Sequence, residues 1–272
     1  MNGFDLTAMK AARAGRLVGR RMVYLASAIS TNEVAKDLAR RRAPEGAVVL
    51  AEEQTSGKGR LGRTWISPAG SSILLSIILR PSVTRLAKLT MMASLAAARA
   101  VERATGLPTF VKWPNDVILG GKKVGGILIE AELSGRFPRF AVVGIGLNVN
   151  FDVRTVPDIP ETATSVSMEL GRDFSRQDLL LALLEELETA YGALKKGIPI
   201  ERDWCARLET LGRWVRVTRM IGPSLEGRAE DVDPQGRLLL RLPDGSLEAL
   251  SEGDVSLRPG QGRPRDDADR SR

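Results

Sequence analysis

The sequence predicts an α+β fold: a mixed β-sheet domain with helices packed on it, followed by a small C-terminal β-barrel. Three observations carry that expectation. Strand-like apolar stretches follow one another with helices interposed irregularly, not in strict alternation. Two long segments, 86–105 and 175–196, carry helical apolar spacing with stop signals at Gly106, Pro108 and Gly197. Past residue 211 the pattern changes to short alternating strands separated by turn chemistry. A chain of 272 residues, 43% hydrophobic and 27% charged, can bury one substantial core plus a small second unit, and wholesale disorder is excluded.

The elements follow in order. Apolar spacing in 6–17 predicts a first helix, and 21–26 a short strand. Ser30, with Glu33 three residues on, reads as a capping box for a helix to about Arg41. Strands are expected at 47–50 and 72–79, with a polar, glycine-rich loop between them. After the alanine-rich helix 86–105 come strand-like pieces at 110–112, 117–119, 124–132 and 140–148, and the helices are expected on one face of this sheet. Ser175 and Asp178 resemble a cap for the next helix, and a short helical piece surrounds Trp204. In the C-terminal unit, strands at 214–217, 237–242 and 247–250 are separated by Asp233-Pro234-Gln235-Gly236 and Pro243-Asp244-Gly245-Ser246. The expected partition is 1–210, 211–260 and a disordered tail over 261–272, which has no apolar anchor.

Composition narrows the chemistry. One cysteine, Cys205, permits no internal disulfide and suits a reducing, cytoplasmic setting. The absence of histidine removes Ser-His-Asp and Cys-His catalysis, the usual zinc sites and any imidazole base. No apolar run approaches the ~20 residues of a membrane-spanning helix. The net charge of +7 favours acidic partners. Residues 1–42 hold nine basic side chains against three acidic ones, which reads first as a solvated helix face.

Two segments combine chemistry-bearing groups. Gly57-Lys58-Gly59-Arg60-Leu61-Gly62 formally matches a dinucleotide fingerprint, but the chain continues into Thr64-Trp65-Ile66-Ser67-Pro68 with no helix start. What remains is a loop of three cations and three glycines in seven residues, a composition suited to folding over an anion; a solvated basic hairpin is the alternative. Lys112-Trp113-Pro114-Asn115-Asp116 places a cation, a ring, an amide and a carboxylate on five residues, unless it is an ordinary corner with Trp113 in the core. Lys123 stands at the mouth of a strand whose Gly125 and Gly126 admit close approach to the backbone, and Asn148 ends the strand 140–148.

Taken together, Ser30-Thr31-Asn32, Glu52-Glu53-Gln54, the basic loop 57–63, the KWPND segment, Lys123 to Leu128 and Gly144 to Asn148 resemble, in order and spacing, the biotin protein ligases. The resemblance covers residues 20–258 and implies a mixed-sheet catalytic domain with an SH3-like C-terminal barrel. It implies that ATP and biotin, with Mg²⁺, are joined to biotinyl-5′-AMP. The biotinyl group then passes to a lysine of the biotin carboxyl carrier domain of a carboxylase. By similarity, Ser30, Thr31, Asn32, Gln54, Lys58, Gly59, Arg60, Lys123, Gly125 and Gly126 bind biotin; Arg63, Trp65, Lys112, Asn115, Asp116 and Asn148 line the nucleotide. Lys123, Arg60 and Asp116 are the expected catalytic groups, and Asp116 is also the candidate for Mg²⁺. A core role for Trp65 is the equal alternative. Where many relatives carry arginine this chain has Lys58, which keeps the charge and loses the planar fork. A lipoate or octanoate ligase and a non-catalytic biotin-binding protein are the rivals. Only 29 residues precede Ser30, so no DNA-binding winged helix is expected, nor a membrane partner, and a monomer or homodimer is expected.

Overall fold

A computed structural model describes residues 3–257, so the tail expected at 261–272 lies outside the described residues. The chain runs α1 (Leu6–Ala12), β1 (Met22–Leu25), α2 (Thr31–Arg40), β2 (Val48–Ala51), β3 (Ser72–Leu79), α3 (Val83–Leu86), α4 (Leu89–Thr105), β4 (Thr109–Lys112), β5 (Asp116–Leu119), β6 (Lys122–Ser134) and β7 (Phe137–Asn148). Then come α5 (Val166–Leu170), α6 (Arg176–Lys195), α7 (Glu201–Cys205), β8 (Trp214–Thr218), β9 (Leu225–Val232), β10 (Leu238–Arg241), β11 (Leu247–Leu250) and β12 (Asp254–Leu257).

A seven-stranded sheet with order β1-β2-β3-β7-β6-β5-β4 forms the large layer. Its one parallel pair, β1 with β2, is the pair joined by helix α2; every other pairing is antiparallel. All eight residues of β3 are buried, which requires cover on both faces. Ile73, Leu75, Ile77 and Leu79 point to the core shared with α4 and α6, whereas Ile78 joins Val49, Phe140 and Val142 under Ala35 and Ala39 of α2. The helices therefore cover both faces, correcting the expectation of one: the β1–β2 crossover places α2 opposite α4 and α6.

Two further expectations change. The first helix stops at Ala12 because Gly15 is left-handed (φ 75°) and Arg13 turns inward, its Nε donating to the Val18 carbonyl at 3.0 Å. Ser30 occupies the N-cap of α2 without a side-chain capping bond, so the capping box is not made.

The C-terminal strands form a five-stranded antiparallel sheet, order β11-β10-β9-β8-β12. Among the described residues β11 and β12 remain its edges, so no closed barrel of paired strands forms. Its inner residues Val215, Val217, Ala229, Leu238, Leu240 and Val255 instead join the large core, which supplies the cover that closure would give. The predicted turn at Asp233 forms: its Oδ1 accepts from Gln235 N and Arg237 N at 3.0 and 2.9 Å. No helix among the described residues is long and apolar enough to cross a membrane.

Candidate active site

The start of β6 at Lys123, the end of β7 at Asn148 and Gln54 just past β2 converge on a cavity of about 580 Å³ at one end of the large sheet. Of the residues proposed from sequence, Ser30, Thr31, Asn32, Gln54, Lys58, Gly59, Arg60, Arg63, Trp65, Lys112, Asn115, Asp116, Lys123, Gly126 and Asn148 line it. Gly125 does not. A Cβ there would run into Leu147 and come within 2.8 Å of the Gly146 carbonyl, so Gly125 serves strand packing of β6 on β7.

One side of the cavity is a polar cluster at the start of α2. Gln54 Oε1 accepts from Thr31 N (2.7 Å) and Thr31 Oγ1 (3.0 Å), which leaves the Gln54 amide N–H groups for a ligand. The Ser76 hydroxyl lies 2.6 Å from Asn32 Oδ1 and 2.8 Å from Thr31 Oγ1. Asn32 Nδ2 donates to Glu130 Oε2 at 2.8 Å. Gly144 is required beside it, because a Cβ on that residue would collide with Asn32 Oδ1. Ser76, Glu130 and Gly144 were missed as contributors. Ser76 sits within an aliphatic strand, Glu130 comes from a strand nearly a hundred residues away, and only Gly144 lay in a quoted motif.

The opposite side is cationic. Lys123 Nζ lies 2.7 Å from Asp116 Oδ1, and Lys112 Nζ 3.9 Å from Asp116 Oδ2. The backbone of Lys123 is fixed by residues 162–164, its N–H donating to Thr162 O and its carbonyl accepting from Thr164 N, both at 2.8 Å. Arg60 Nη1 donates to Asn115 Oδ1 at 2.9 Å, and Asn115 Nδ2 donates to the Ile127 carbonyl at 2.7 Å, tying the loop to the KWPND corner. Burial pushes the Arg60 guanidinium below its ordinary range, opposed by Asp116, Asp254 and Glu252. Trp65 forms the wall between the two sides: a Cβ on Gly146 would lie 2.6 Å from its ring, and Lys123 Nζ is 5.9 Å from the ring centroid. Asn148, which lines the cavity, donates through Nδ2 to the Thr164 carbonyl at 3.0 Å, while its buried Oδ1 has no partner among the described residues. Trp113 lies in the core, outside the cavity.

The loop 57–65 closes on itself, Gly59 N donating to Arg63 O at 2.7 Å and Trp65 N to Gly57 O at 3.0 Å. No helix follows its glycines, in keeping with the rejected dinucleotide reading. Lys58, at the cavity lining, pairs with Glu33, which Lys36 also contacts at 2.7 Å; these bonds to Lys36 and Lys58 hold Glu33 below the usual carboxylate range. Among the described residues no group of three acidic or cysteine side chains is placed to hold a metal. Asp116 has an ammonium group near each oxygen, an environment that opposes a cation ligand.

Such a site, with uncharged polar donors facing a basic half to which the loop 57–65, hereafter the flap, contributes Arg60 and Arg63, suits the gathering of a small acid and a second anion. Family comparison is specific: residues 24–148 match the Biotin/lipoate A/B protein ligase family, and residues 210–258 the Biotin protein ligase C terminal domain. The chain belongs to the biotin protein ligase family and is a biotin ligase. It is 33% identical to the bifunctional ligase/repressor BirA of Bacillus subtilis over 246 residues, 89% of this chain and 75% of that protein. It is 36% identical to the biotin--[acetyl-CoA-carboxylase] ligase of Mycobacterium tuberculosis over 219 residues, 78% and 79% of the two chains. Among solved structures it resembles the biotin protein ligase from Aquifex aeolicus in complex with biotin and ATP. The TM-score is 0.72 at 28% identity, over 88% of this chain and 99% of that one.

Proposed function

We propose that this enzyme joins biotin to ATP as biotinyl-5′-AMP and passes the biotinyl group to a lysine of a carboxylase's carrier domain. The observation that carries the reading is the division of one cavity into an uncharged polar half (Thr31, Asn32, Gln54) and a cationic half (Lys123, Lys112, Arg60). A ureido head needs donors without a charge, and a carboxylate meeting a triphosphate needs cations. The Aquifex relative with biotin and ATP, and the relatives named for acetyl-CoA carboxylase, support the substrates and the acceptor.

In the first step a carboxylate oxygen attacks the α-phosphorus, the α–β anhydride bond breaks, and pyrophosphate leaves. Lys123, set by Asp116 and the 162–164 backbone, stands between the two anions, and Arg60 approaches from the flap. Donors placed in advance at such a point are each worth about 3 kcal/mol. The partnerless Asn148 Oδ1 is an acceptor for the exocyclic amine of the nucleotide. Trp65 supplies the apolar wall. With a lysine at each oxygen Asp116 would not hold Mg²⁺, and any Mg²⁺ the reaction needs would come with the nucleotide as part of the substrate. In the second step the acceptor amine attacks the acyl carbon and AMP leaves. With a free lysine pKa of ~10.4 only a few in ten thousand amines are neutral at pH 7. Asp116 takes the proton once the bound anions have drawn Lys123 and Lys112 off its oxygens.

The test is ATP–pyrophosphate exchange with biotin and, in parallel, with lipoate. Exchange with biotin alone is expected; exchange with lipoate alone would transfer the site to the lipoate-ligase reading, and none with either would leave a binding protein.

A further inference from the structure

Each cation of the flap has its own anchor, and the three anchors come from different parts of the fold. Lys58 pairs with Glu33 on α2, and Arg60 bonds Asn115 at the KWPND corner. Arg63 crosses to the C-terminal sheet, where Nη2 pairs with Oδ2 of Asp254. Asp254 opens β12, opposite Thr218 of β8. Gly253 just before it has φ 149° and no room for a side chain, because a Cβ would meet Val217. The carboxylate is thus held by a paired strand rather than by a free loop. Residues 253–256 line the same cavity as Lys123. The flap bonds mainly to itself, and its tip is strained, with non-glycine Leu61 at φ 57°. It is therefore a unit that stays shut through its anchors.

We infer that Asp254 is a positioning residue: through Arg63 it clasps the flap over the reactive intermediate, making the C-terminal sheet part of the gate. The inference rests on the biotinyl-adenylate reading above. The pair is exposed at its rim, with side-chain exposures of 62% for Arg63 and 33% for Asp254. Its effect is therefore modest and sensitive to salt: exposed pairs shift an equilibrium by roughly two- to five-fold.

The experiment preloads the full chain with radiolabelled biotin and ATP and follows release of the adenylate. Asp254→Asn is expected to speed release about two- to five-fold. Arg63→Gln should do the same, and the double variant should be no faster than either alone. Asp254→Glu should recover slow release. Added salt should speed release more from the unaltered chain than from Asp254→Asn, because only the former has the rim pair to lose. Glu230→Gln, which breaks the pair with Arg241 elsewhere on the C-terminal sheet, is the control expected to change nothing. Unchanged release from both single variants, or additive effects in the double, would overturn the clasp. Should Asp254→Asn fail to fold, Asp254→Ser on the same strand decides, because Arg63 itself lines the cavity. Absence of adenylate in the unaltered chain would instead defeat the functional reading.

Discussion

At the scale of single residues, the head-group half depends on an amide that cannot rotate. Asn32 is held by Ser76 on one side and Glu130 on the other, and Gly144 leaves it the space. Gly144→Ala drives a methyl group into Asn32 Oδ1, and the amide must give way because strand β7, paired on both sides, will not. Losing one aligned bond of about 1.4 kcal/mol corresponds to roughly tenfold weaker biotin binding. Calorimetric titration with biotin, alongside titration with ATP, checks this: biotin should weaken and ATP should not, and equal weakening of both would point to general damage. Much of this residue-level site could be read from sequence because its polar members cluster in short motifs. Glu130 and Asp254 could not, since each is one acid among many until pairing across the sheets brings it to Asn32 or Arg63.

At the scale of elements, helix α2 shows how a local signal yields to tertiary contacts. Ser30 and Glu33 have the spacing of a capping box, yet Glu33 finds two lysines, Lys36 on its own helix and Lys58 on the flap, and Ser30 is left to line the cavity. An ion pair with two ammonium groups outweighs a bond to one backbone N–H. The bonds to Lys36 and Lys58 depress the pKa of Glu33, so its contribution is present above the ordinary carboxylate value and is lost as pH falls through the lower folded value. The melting temperatures of the unaltered chain and of Glu33→Gln should therefore differ at neutral pH and draw together as pH falls through the carboxylate range. A gap that stays constant across that range would assign Glu33 a role other than its charge. The long elements were legible for the usual reasons: β3 is an aliphatic run, and α4 and α6 carry helical spacing with glycine stops. Strand β9 was missed because its buried positions are Gly227 and Ala229, which carry almost no apolar signal. Helix α5 spans five residues, too few to display a period.

At the scale of the whole molecule, one core serves both sheets, and Trp113 fastens them. Its backbone N–H donates to Thr210 Oγ1 at 3.0 Å, and its Nε1 reaches the Gly236 carbonyl in the β9–β10 turn at 2.9 Å. The KWPND segment thus works in two directions, with Asn115 and Asp116 facing the cavity while Trp113 faces the core and holds the second sheet. From sequence the Trp113 ring fits either site or core; burial to 1% exposure assigns it to the core. The C-terminal strands suggest a barrel because alternating strands give the same pattern whether the inner face is closed by strand pairing or by docking. Docking has a thermodynamic consequence. Because residues from both sheets share one cluster, the unaltered chain should unfold in a single calorimetric transition. Trp113→Phe keeps most of the volume and loses the Gly236 bond, a cost of about 1 kcal/mol. Trp113→Ala opens a cavity at the junction and should cost about 3–5 kcal/mol. If Trp113 is the fastening, the alanine variant should also split the transition in two, with the weaker C-terminal sheet melting first and the flap losing its Asp254 anchor at that lower temperature. A variant that melts earlier but still as one unit would show that the aliphatic contacts of β8, β10 and β12 hold the sheets together without it.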